Sequence, residues 1–572
     1  MIFFAIVNIQ FFEFYKEPIN VNIFGIIEDD TTAIFKTIWK DFPVVTSVLI
    51  IIGIMIAHTM FQGSLQKHTR RLVENLSFSF VCVFIFLSVV LLAVAAKGTF
   101  RAMALGQQHV SVTSSQFLNN MVPSGITSFR FAWKNWKEAH QLEDLTSGLR
   151  RLGFRSKEEA LAVLRDAGHP LKDAEFSLES TKVAVRENGK KKNLVFFLME
   201  SWGTEPILYQ SPHFDVLGSL NSELKKGCYF SYFDSSTIST FAATESLLFS
   251  SPISPLTLGK AGLTEMPWSI PHILKNLGYR TIFLTSARSG WHQMNTIMQY
   301  QGFEQIIDSG SLSAKYPGAE LGVWGVWDEY AFKWLKDFLE TDQDERPYFI
   351  FVLTSTNHSP YDAPKDFQAP NRDASRWLGE SGNPLLEKNL NTYFYASDNL
   401  GKFISWQKGR KQSKNTIVAA TGDHNGRTFG VYATPERRHL LNQVPFVLWG
   451  TDGACGDQLN DPASHRDIFP TIFSVLNIET SFPAFGRNLL DVRKADANLS
   501  ITPKNHRSLN YLGYVRNDQG SWRLGDPRSF VCLNSSTNKH KDCRFDARED
   551  AVERANLGML DWSMRWSNRT PR

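Results

Sequence analysis

The chain has 572 residues, of which 43% are hydrophobic, 21% charged and 13% aromatic. This composition is typical of globular proteins, and it excludes a wholly disordered chain, a coiled coil and a collagen-like fibre. The 61 Lys and Arg residues barely outnumber the 57 Asp and Glu residues, so the net charge of +4 indicates no nucleic-acid partner.

Two long apolar segments near the N-terminus, residues 44–61 and 76–95, predict membrane-spanning helices. About twenty helical residues, each rising about 1.5 Å, cross the roughly 30 Å hydrocarbon core of a bilayer. A third apolar segment, residues 2–12, is too short to span and lacks the basic start and small-residue cleavage site of a signal peptide. It is either part of a longer membrane helix or an interfacial segment.

The basic residues Lys67, Arg70 and Arg71 lie between the two predicted spans. Because positive loops remain in the cytoplasm, both outer flanks then face the opposite side of the membrane. The sequence therefore predicts a multi-pass membrane protein whose chain after Ala95 is extracytoplasmic. In that oxidising location the neighbouring Cys532 and Cys543 are expected to form a disulfide.

After the membrane region the pattern is helical over residues 97–192, and the charged segment 186–192 is typical of a linker. From residue 193 onward short apolar segments alternate with helical patterns. The predicted buried strands are residues 193–199, 279–285, 348–354, 415–421 and 444–450, and the predicted helices between them are residues 270–277, 329–339 and 390–407. This alternation predicts an α/β fold with a mostly parallel sheet covered by helices on both faces. The expected domains are residues 1–96, 97–192, 193–500 and 501–572.

Polar side chains follow three of these strands. Glu200 comes after the first, His358 after the third, and the pair Asp423-His424 after the fourth. Because binding sites of open α/β sheets lie beyond the carboxyl ends of the strands, we expect these side chains at one edge of the sheet. Carboxylates with an imidazole suit Mn, Zn or Mg, so this edge is a candidate metal site.

A nucleophile is expected among the hydroxyl residues of segment 233–252, and the candidate is Thr240. It directly precedes the helical pattern FAATESLLFS, where unpaired backbone N–H groups and the helix dipole would stabilise an oxyanion or a phosphate. An ordinary helix cap is the structural alternative for this hydroxyl. Thr237 stays open as the alternative nucleophile.

The motifs LMES, ISTFAATESLL, NHSPY and GDHNGRT follow one another in an order that resembles a known family. It is the lipoteichoic acid synthase and phosphoglycerol/phosphoethanolamine transferase family, within the sulfatase and alkaline-phosphatase-like superfamily. The similarity extends over residues 193–490. It implies a sulfatase-like catalytic domain outside the cytoplasm, anchored in the inner membrane of a bacterial cell.

The resemblance also implies roles for individual residues. Glu200, Thr240, Asp423 and His424 would bind one divalent cation, most often manganese with zinc or magnesium as alternatives, and Thr240 would be the nucleophile. The residues that would contact the substrate are His358, Trp291 and Thr428.

Two positions depart from the pattern of the lipoteichoic acid synthases. In these synthases an Arg lies two residues after the Trp that corresponds to Trp291, and an Asp lies five residues before it. This chain has Gln293 and Ser286 at those positions. Because the Arg guanidinium binds phosphate through two parallel N–H groups, the missing Arg leaves the identity of the head group open. Arg288 or Arg427 could take its place.

The predicted function is transfer of a phosphoglycerol or phosphoethanolamine head group from a phospholipid donor to an envelope glycan or lipid acceptor, through a phospho-threonine intermediate. The alternatives are an extracytoplasmic phosphodiesterase or sulfatase, and a membrane-anchored protein that binds without catalysis. The nucleophile motif of sulfatases, Cys or Ser followed by x-Pro-x-Arg, is absent from the sequence, which counts against a sulfatase.

Overall fold

The structure is a computed structural model of the chain. The residues that it describes are 2–15, 18–24, 38–39, 43–73, 77–97, 106, 113, 116–139, 144–168, 191–257, 260–370, 372–373, 377, 381–426, 428–430, 437, 439–451, 455, 461–480, 486–490, 507–511, 513–517, 519–532 and 543–567. They form two compact units, residues 1–138 with 290–293 and residues 139–289 with 294–572.

The first unit is helical. Its helices are α1 Ile2–Tyr15, α2 Val44–Val73, α3 Phe78–Lys97, α4 Gln116–Asn120 and α5 Gly125–Ala139, with a 3-10 turn at Val21–Phe24. Aromatic rings of α5 pack on this turn, and the rings of Phe24 and Trp136 lie 5.0 Å apart. Burial of these rings gives the unit a small apolar cluster of its own.

Within the described residues one helix, Val44–Gln66, is long and apolar enough to cross a membrane. The second predicted span is also helical, as α3 Phe78–Lys97, and within the described residues its apolar stretch is Ser79–Leu91. The multi-pass prediction is therefore not supported. The segment between the two predicted spans is helical up to Val73, which ends α2. Hydropathy marks where a segment stops being apolar, whereas the helix continues through good helix formers such as Leu65 and Gln66.

A seven-stranded sheet forms the centre of the second unit. Its strands are β1 Asn193–Met199, β2 Cys228–Phe230, β4 Arg280–Thr285, β5 Gln305–Ile307, β6 Tyr348–Leu353, β7 Thr416–Gly422 and β8 Phe446–Trp449; β3 Phe233–Asp234 pairs separately with β9 Ala463–Ser464. The order of the strands in the sheet is β2-β8-β7-β1-β6-β4-β5. All five predicted strands are present. Strands β7, β1, β6, β4 and β5 are parallel, whereas β8 is antiparallel to both of its neighbours, β7 and the edge strand β2.

Both faces of this sheet are covered, as predicted. The helices of this part are α8 Glu205–Leu208, α9 Leu220–Leu224, α10 Thr240–Phe249, α11 Ile270–Asn276, α12 Met294–Tyr300, α13 Ser309–Lys315, α14 Asp328–Thr341, α15 Leu386–Lys408 and α16 Ile468–Leu476. Successive residues of β1 point to opposite faces. Phe196 stacks on Phe469 of α16, while Phe197 stacks on Phe332 of α14 and contacts Phe403 of α15.

The C-terminal part adds a four-stranded antiparallel sheet and a long helix. They consist of β10 Arg507–Asn510, β11 Tyr514–Asn517, β12 Gly520–Arg523, β13 Asp526–Cys532 and α17 Ala547–Ser567. Two helices of the predicted linker, α6 Ser147–Arg151 and α7 Lys157–Asp166, pack on α17, where Arg554 donates to the Leu152 carbonyl at 3.0 Å. The predicted charged linker falls on residues 186–192, of which 186–190 lie outside the described residues.

Two disulfides close loops in this unit. The predicted bond between Cys532 and Cys543 is confirmed. A second bond joins Cys228 of β2 to Cys455 and was not predicted, because 227 positions separate the two residues in the chain. Cys82, on α3, is free and exposed.

Candidate metal centre and active site

The central strands bring the candidate ligands together. β1 and β7 are parallel neighbours in which Met199 pairs with Gly422, so the next residue of each strand, Glu200 and Asp423, emerges at the same edge. The approach is tight, because a Cβ atom at Gly422 would lie 2.1 Å from the carbonyl oxygen of Trp202. Only a glycine therefore lets β7 run this close to the turn after β1.

Glu200, Asp423 and His424 form a buried cluster in which one ligand atom from each lies within 4.8 Å of the other two. The His424 Nε2 atom is 3.4 Å from Asp423 Oδ2 and 3.9 Å from Glu200 Oε1. The His424 Nδ1 atom lies 2.9 Å from the carbonyl oxygen of Asn425, so this nitrogen carries the hydrogen and Nε2 is the nitrogen able to bind a cation.

Thr240 belongs to the same cluster, since its hydroxyl donates to Glu200 Oε2 at 2.9 Å. Thr240 is the first residue of α10, and the cap of that helix is Ser239, which accepts from the Ala242 N–H group. The alternative reading of Thr240 as a cap is therefore wrong. The hydroxyl of Thr237 is directed elsewhere and donates to the Ser239 carbonyl at 3.2 Å. The geometry thus brings Thr240, and not Thr237, to the predicted ligands.

Ser201 holds the two carboxylates in place and was not predicted as a site residue. Its N–H group donates to Asp423 Oδ1 at 2.7 Å and its hydroxyl donates to Glu200 Oε1 at 2.8 Å. The backbone of Ser201 is left-handed, with φ of 50°, which is uncommon for a residue with a side chain and typical of functional sites. The sequence signal that could have identified Ser201 as a site residue is its position directly after Glu200.

The electrostatics of the cluster favour a cation. The pKa of Asp423 is raised to about 7, mainly by burial and secondly by the negative charge of Glu200. Asp423 Oδ2 is buried and accepts no hydrogen bond within the described part of the chain. Two adjacent carboxylates, one with an oxygen that lacks a donor, together with an imidazole nitrogen fit a divalent metal ion.

The remaining predicted substrate contacts lie in different parts of the structure. His358 follows β6, and its Nδ1 atom lies 2.8 Å from the Ser359 carbonyl oxygen while its ring packs 4.2 Å from that of Trp324. The hydroxyl of Thr428 is buried and has no hydrogen-bond partner in the described part of the chain. Trp291 lies in the 290–293 segment that groups with the first unit, and its role in the site stays a prediction.

The position that departs from the family pattern, Ser286, has a structural partner that sequence reasoning missed. Its hydroxyl donates to the buried Asp328 carboxylate at 2.5 Å, which also accepts from the N–H groups of Ser355 and Thr356. Asp328 thereby links the ends of β4 and β6 next to His358. Of the two suggested arginines, Arg288 donates to the Val323 carbonyl at 2.8 Å, and Arg427 lies outside the described residues.

A family model described as sulfatase matches residues 192–478, about half of the chain. The chain therefore belongs to the sulfatase family. Among curated relatives, the lipoteichoic acid synthase-like YvgJ of Bacillus subtilis is 22% identical over 324 residues, which cover 53% of this chain and 50% of the relative. The lipoteichoic acid synthase of Staphylococcus aureus (strain USA300) is 22% identical over 320 residues, covering 52% and 48%. The chain spans about half the length of these relatives, and they confirm the predicted resemblance.

Two solved structures share the fold. A protein of the alkaline phosphatase superfamily from Vibrio parahaemolyticus has a TM-score of 0.55 and 22% identity, covering 73% of this chain and 97% of that one. The lipoteichoic acid synthase LtaP of Listeria monocytogenes has a TM-score of 0.53 and 19% identity, covering 72% and 99%. The predicted fold class, a sulfatase-like mostly parallel sheet between helices, is confirmed.

Proposed function

We propose that this protein is a membrane-anchored, metal-dependent transferase that moves a phosphoglycerol or phosphoethanolamine head group from a phospholipid to an envelope glycan or lipid. One observation carries the proposal. A threonine hydroxyl at the start of a helix donates to a buried carboxylate, within a cluster whose remaining members are metal-binding groups. A hydroxyl so placed is suited to nucleophilic attack on phosphorus.

Glu200, Asp423, His424 and Thr240 are the proposed ligands of one divalent cation, with manganese preferred over zinc or magnesium. When bound, such an ion supplies Lewis-acid charge that stabilises the Thr240 oxygen and the phosphoryl oxygens. The chain contributes the arrangement of the ligands. Ser201 fixes both carboxylates through its N–H group and hydroxyl, and the Asn425 carbonyl sets the tautomer of His424.

The first half-reaction forms a bond between Thr240 Oγ1 and the phosphorus of the lipid head group and breaks the bond from phosphorus to the diacylglycerol oxygen. Glu200 Oε2, 2.9 Å from the hydroxyl, accepts its proton. The diacylglycerol oxygen leaves with a proton from His358. The head group is then esterified to Thr240.

In the second half-reaction an acceptor hydroxyl attacks the same phosphorus, and the bond to Thr240 breaks. His358, now neutral, takes the proton of the acceptor, and Thr240 regains a proton from Glu200. Because Nδ1 of His358 faces the Ser359 carbonyl oxygen, Nε2 is the nitrogen that exchanges this proton. Two displacements replace one more difficult step.

The names of the relatives support transfer rather than hydrolysis, since two of them are lipoteichoic acid synthases. A lipid donor also explains the apolar helix Val44–Gln66, which would anchor the enzyme next to its substrate. We propose that the helix lies in the inner membrane of a bacterial cell and that the catalytic unit faces away from the cytoplasm.

Lipid mass spectrometry tests the proposal. The purified full chain in detergent with manganese and phosphatidylglycerol, or phosphatidylethanolamine, should release diacylglycerol and add the head group to an envelope lipid extract. Release of free head group into water with no modified acceptor would point instead to a hydrolase. Intact donor in every reaction would contradict enzymatic function on these lipids.

A further inference from the structure

The C-terminal sheet presents a polar face to the segment that leads to Thr240. In the pairing of β11 with β12, Arg516 faces Ser521 and Tyr514 faces Arg523, so these four side chains share one side of the sheet. The other side carries Trp522, whose indole N–H group donates to Asp550 of α17. The sheet therefore packs one face on its helix and directs its polar face toward Asp234, at the end of β3.

Between this polar face and Asp234 lies a pocket that opens to solvent. Its lining includes Arg516, Arg523, Tyr514 and Ser521 together with Asn442. Asp234 is the single carboxylate of the lining, and it already accepts hydrogen bonds from Arg516 at 2.9 Å and from Ser508. The lining therefore has no second carboxylate to balance the positive charge of Arg523.

Arg516 has hydrogen-bonding capacity that the described residues do not use. The residue is only 2% exposed, and its Nε and Nη1 atoms are buried without hydrogen-bond partners in this part of the chain. The guanidinium carbon lies 5.0 Å from the centre of the Tyr232 ring. This cation–π contact provides no hydrogen-bond acceptor for the Nε and Nη1 groups. Such buried donors are rare in folded proteins, where they commonly bind a water molecule, an ion or another polar group.

Arg523 supplies a second, independent indication. It is exposed at the end of β12, and its guanidinium makes no ion pair or hydrogen bond with the described residues. Two guanidinium groups with free donors, next to hydroxyls of Ser521 and Tyr514, are the groups that bind tetrahedral oxyanions in proteins.

We propose that this pocket, the Arg516 pocket, binds the phosphate group of a phosphate ester at a site separate from the metal centre. The preference for phosphate over other anions rests on the proposed function, in which donor and product are phosphate esters. Arg523 would contact the phosphate directly, while Arg516, fixed by Asp234, would supply the donors at the base of the pocket.

The test measures the reaction of individual arginines with phenylglyoxal by peptide mass spectrometry of the full chain in detergent. Two probes are compared: inorganic phosphate, and a short glycerol phosphate oligomer. At ten times the dissociation constant about a tenth of the sites stay empty, so modification of Arg523 should slow roughly tenfold. Arg528, exposed on β13 of the same sheet and outside the pocket, is the matched control and should react at an unchanged rate.

Protection by both probes would show that a phosphate group suffices, and protection by the oligomer alone would show that the pocket requires a diester chain. Protection by neither, or equal protection of Arg523 and Arg528, would overturn the proposal. Arg523→Gln should raise the KM for a phosphate-bearing acceptor roughly tenfold, since one charged hydrogen bond is lost, whereas Arg528→Gln should not. If the unaltered chain transfers no head group at all, the proposed function fails while the protection result still stands.

Discussion

The Thr240 hydroxyl lies 2.9 Å from the Glu200 carboxylate, although 40 positions separate the two residues in the chain. β1 ends at one side of this contact, and α10 begins at the other. The hydroxyl thus lies where the first N–H groups of the helix are unpaired and where a carboxylate can accept its proton. This arrangement makes Thr240, rather than a neighbouring hydroxyl, the expected nucleophile.

Thr240→Ala should abolish head-group transfer, because no other hydroxyl of the segment donates to Glu200. Folding should be preserved, since the cap of α10 is Ser239 and remains in place. Thr237→Ala is the matched control and should keep most of the activity. Denaturing the unaltered enzyme during turnover and mapping the phosphorylated peptide gives the direct readout. An adduct on Thr237, or full activity of Thr240→Ala, would contradict the assignment.

Asp423→Ala should lose both bound metal and turnover, because it removes the buried carboxylate that faces His424 Nε2. Elemental analysis of the purified chain after equilibration with manganese measures the metal directly. Asp337→Asn is the control. The Asp337 carboxylate accepts a hydrogen bond from Tyr316 and forms an ion pair with Lys315, and it does not belong to the metal-binding cluster. Full metal occupancy in Asp423→Ala would exclude the proposed ligand set.

The sequence predicted best what depends on long apolar strands. β1 and β7 each contain an uninterrupted apolar segment, so both the sheet and the placement of Glu200 and Asp423 at its edge followed from pattern alone. The short edge strands β2 and β5, three residues each, carry no such signal. The C-terminal sheet was missed because strands such as RSLN and YVRN are short and polar.

Contacts between distant segments were beyond the sequence. Nothing in the pattern joins Ser286 to Asp328, or Cys228 to Cys455, because each pairing depends on how the strands are ordered in the sheet. The same holds for Ser201, whose N–H group contacts Asp423, a residue 222 positions away in the chain. The choice of Thr240 over Thr237 likewise required knowledge of where α10 begins.

Membrane orientation follows from the proposed location of the catalytic unit. In a background without the free Cys82, a cysteine at Gly318 should react with an impermeant thiol reagent added to intact cells, because a side chain there meets no neighbouring atom within 4 Å. A cysteine at Gln66, at the end of the candidate span, should react only after the cells are opened. The opposite pattern of labelling would place the catalytic unit in the cytoplasm.

Acid should destabilise the folded protein through His465, which is buried between the segment before Thr240 and the end of β7. Burial lowers its pKa from 6.5 to about 3. Its Nδ1 atom accepts from the Ser236 N–H group at 3.2 Å, and Nε2 donates to the Gly422 carbonyl at 2.9 Å. Both contacts need the neutral ring in this tautomer.

Below pH 6.5 the unfolded chain binds a proton at His465, whereas the folded chain does not until about pH 3. The free energy of unfolding should therefore decrease as the pH is lowered from 6.5 to about 3. This one group contributes a decrease of at most about 1.4 kcal/mol per pH unit. Denaturant titrations of the detergent-solubilised chain between pH 7 and pH 4 measure the slope. His465→Gln should be less stable at pH 7, because its contacts are lost, but its stability should depend less on pH. An equal slope in both proteins would show that His465 does not carry the effect.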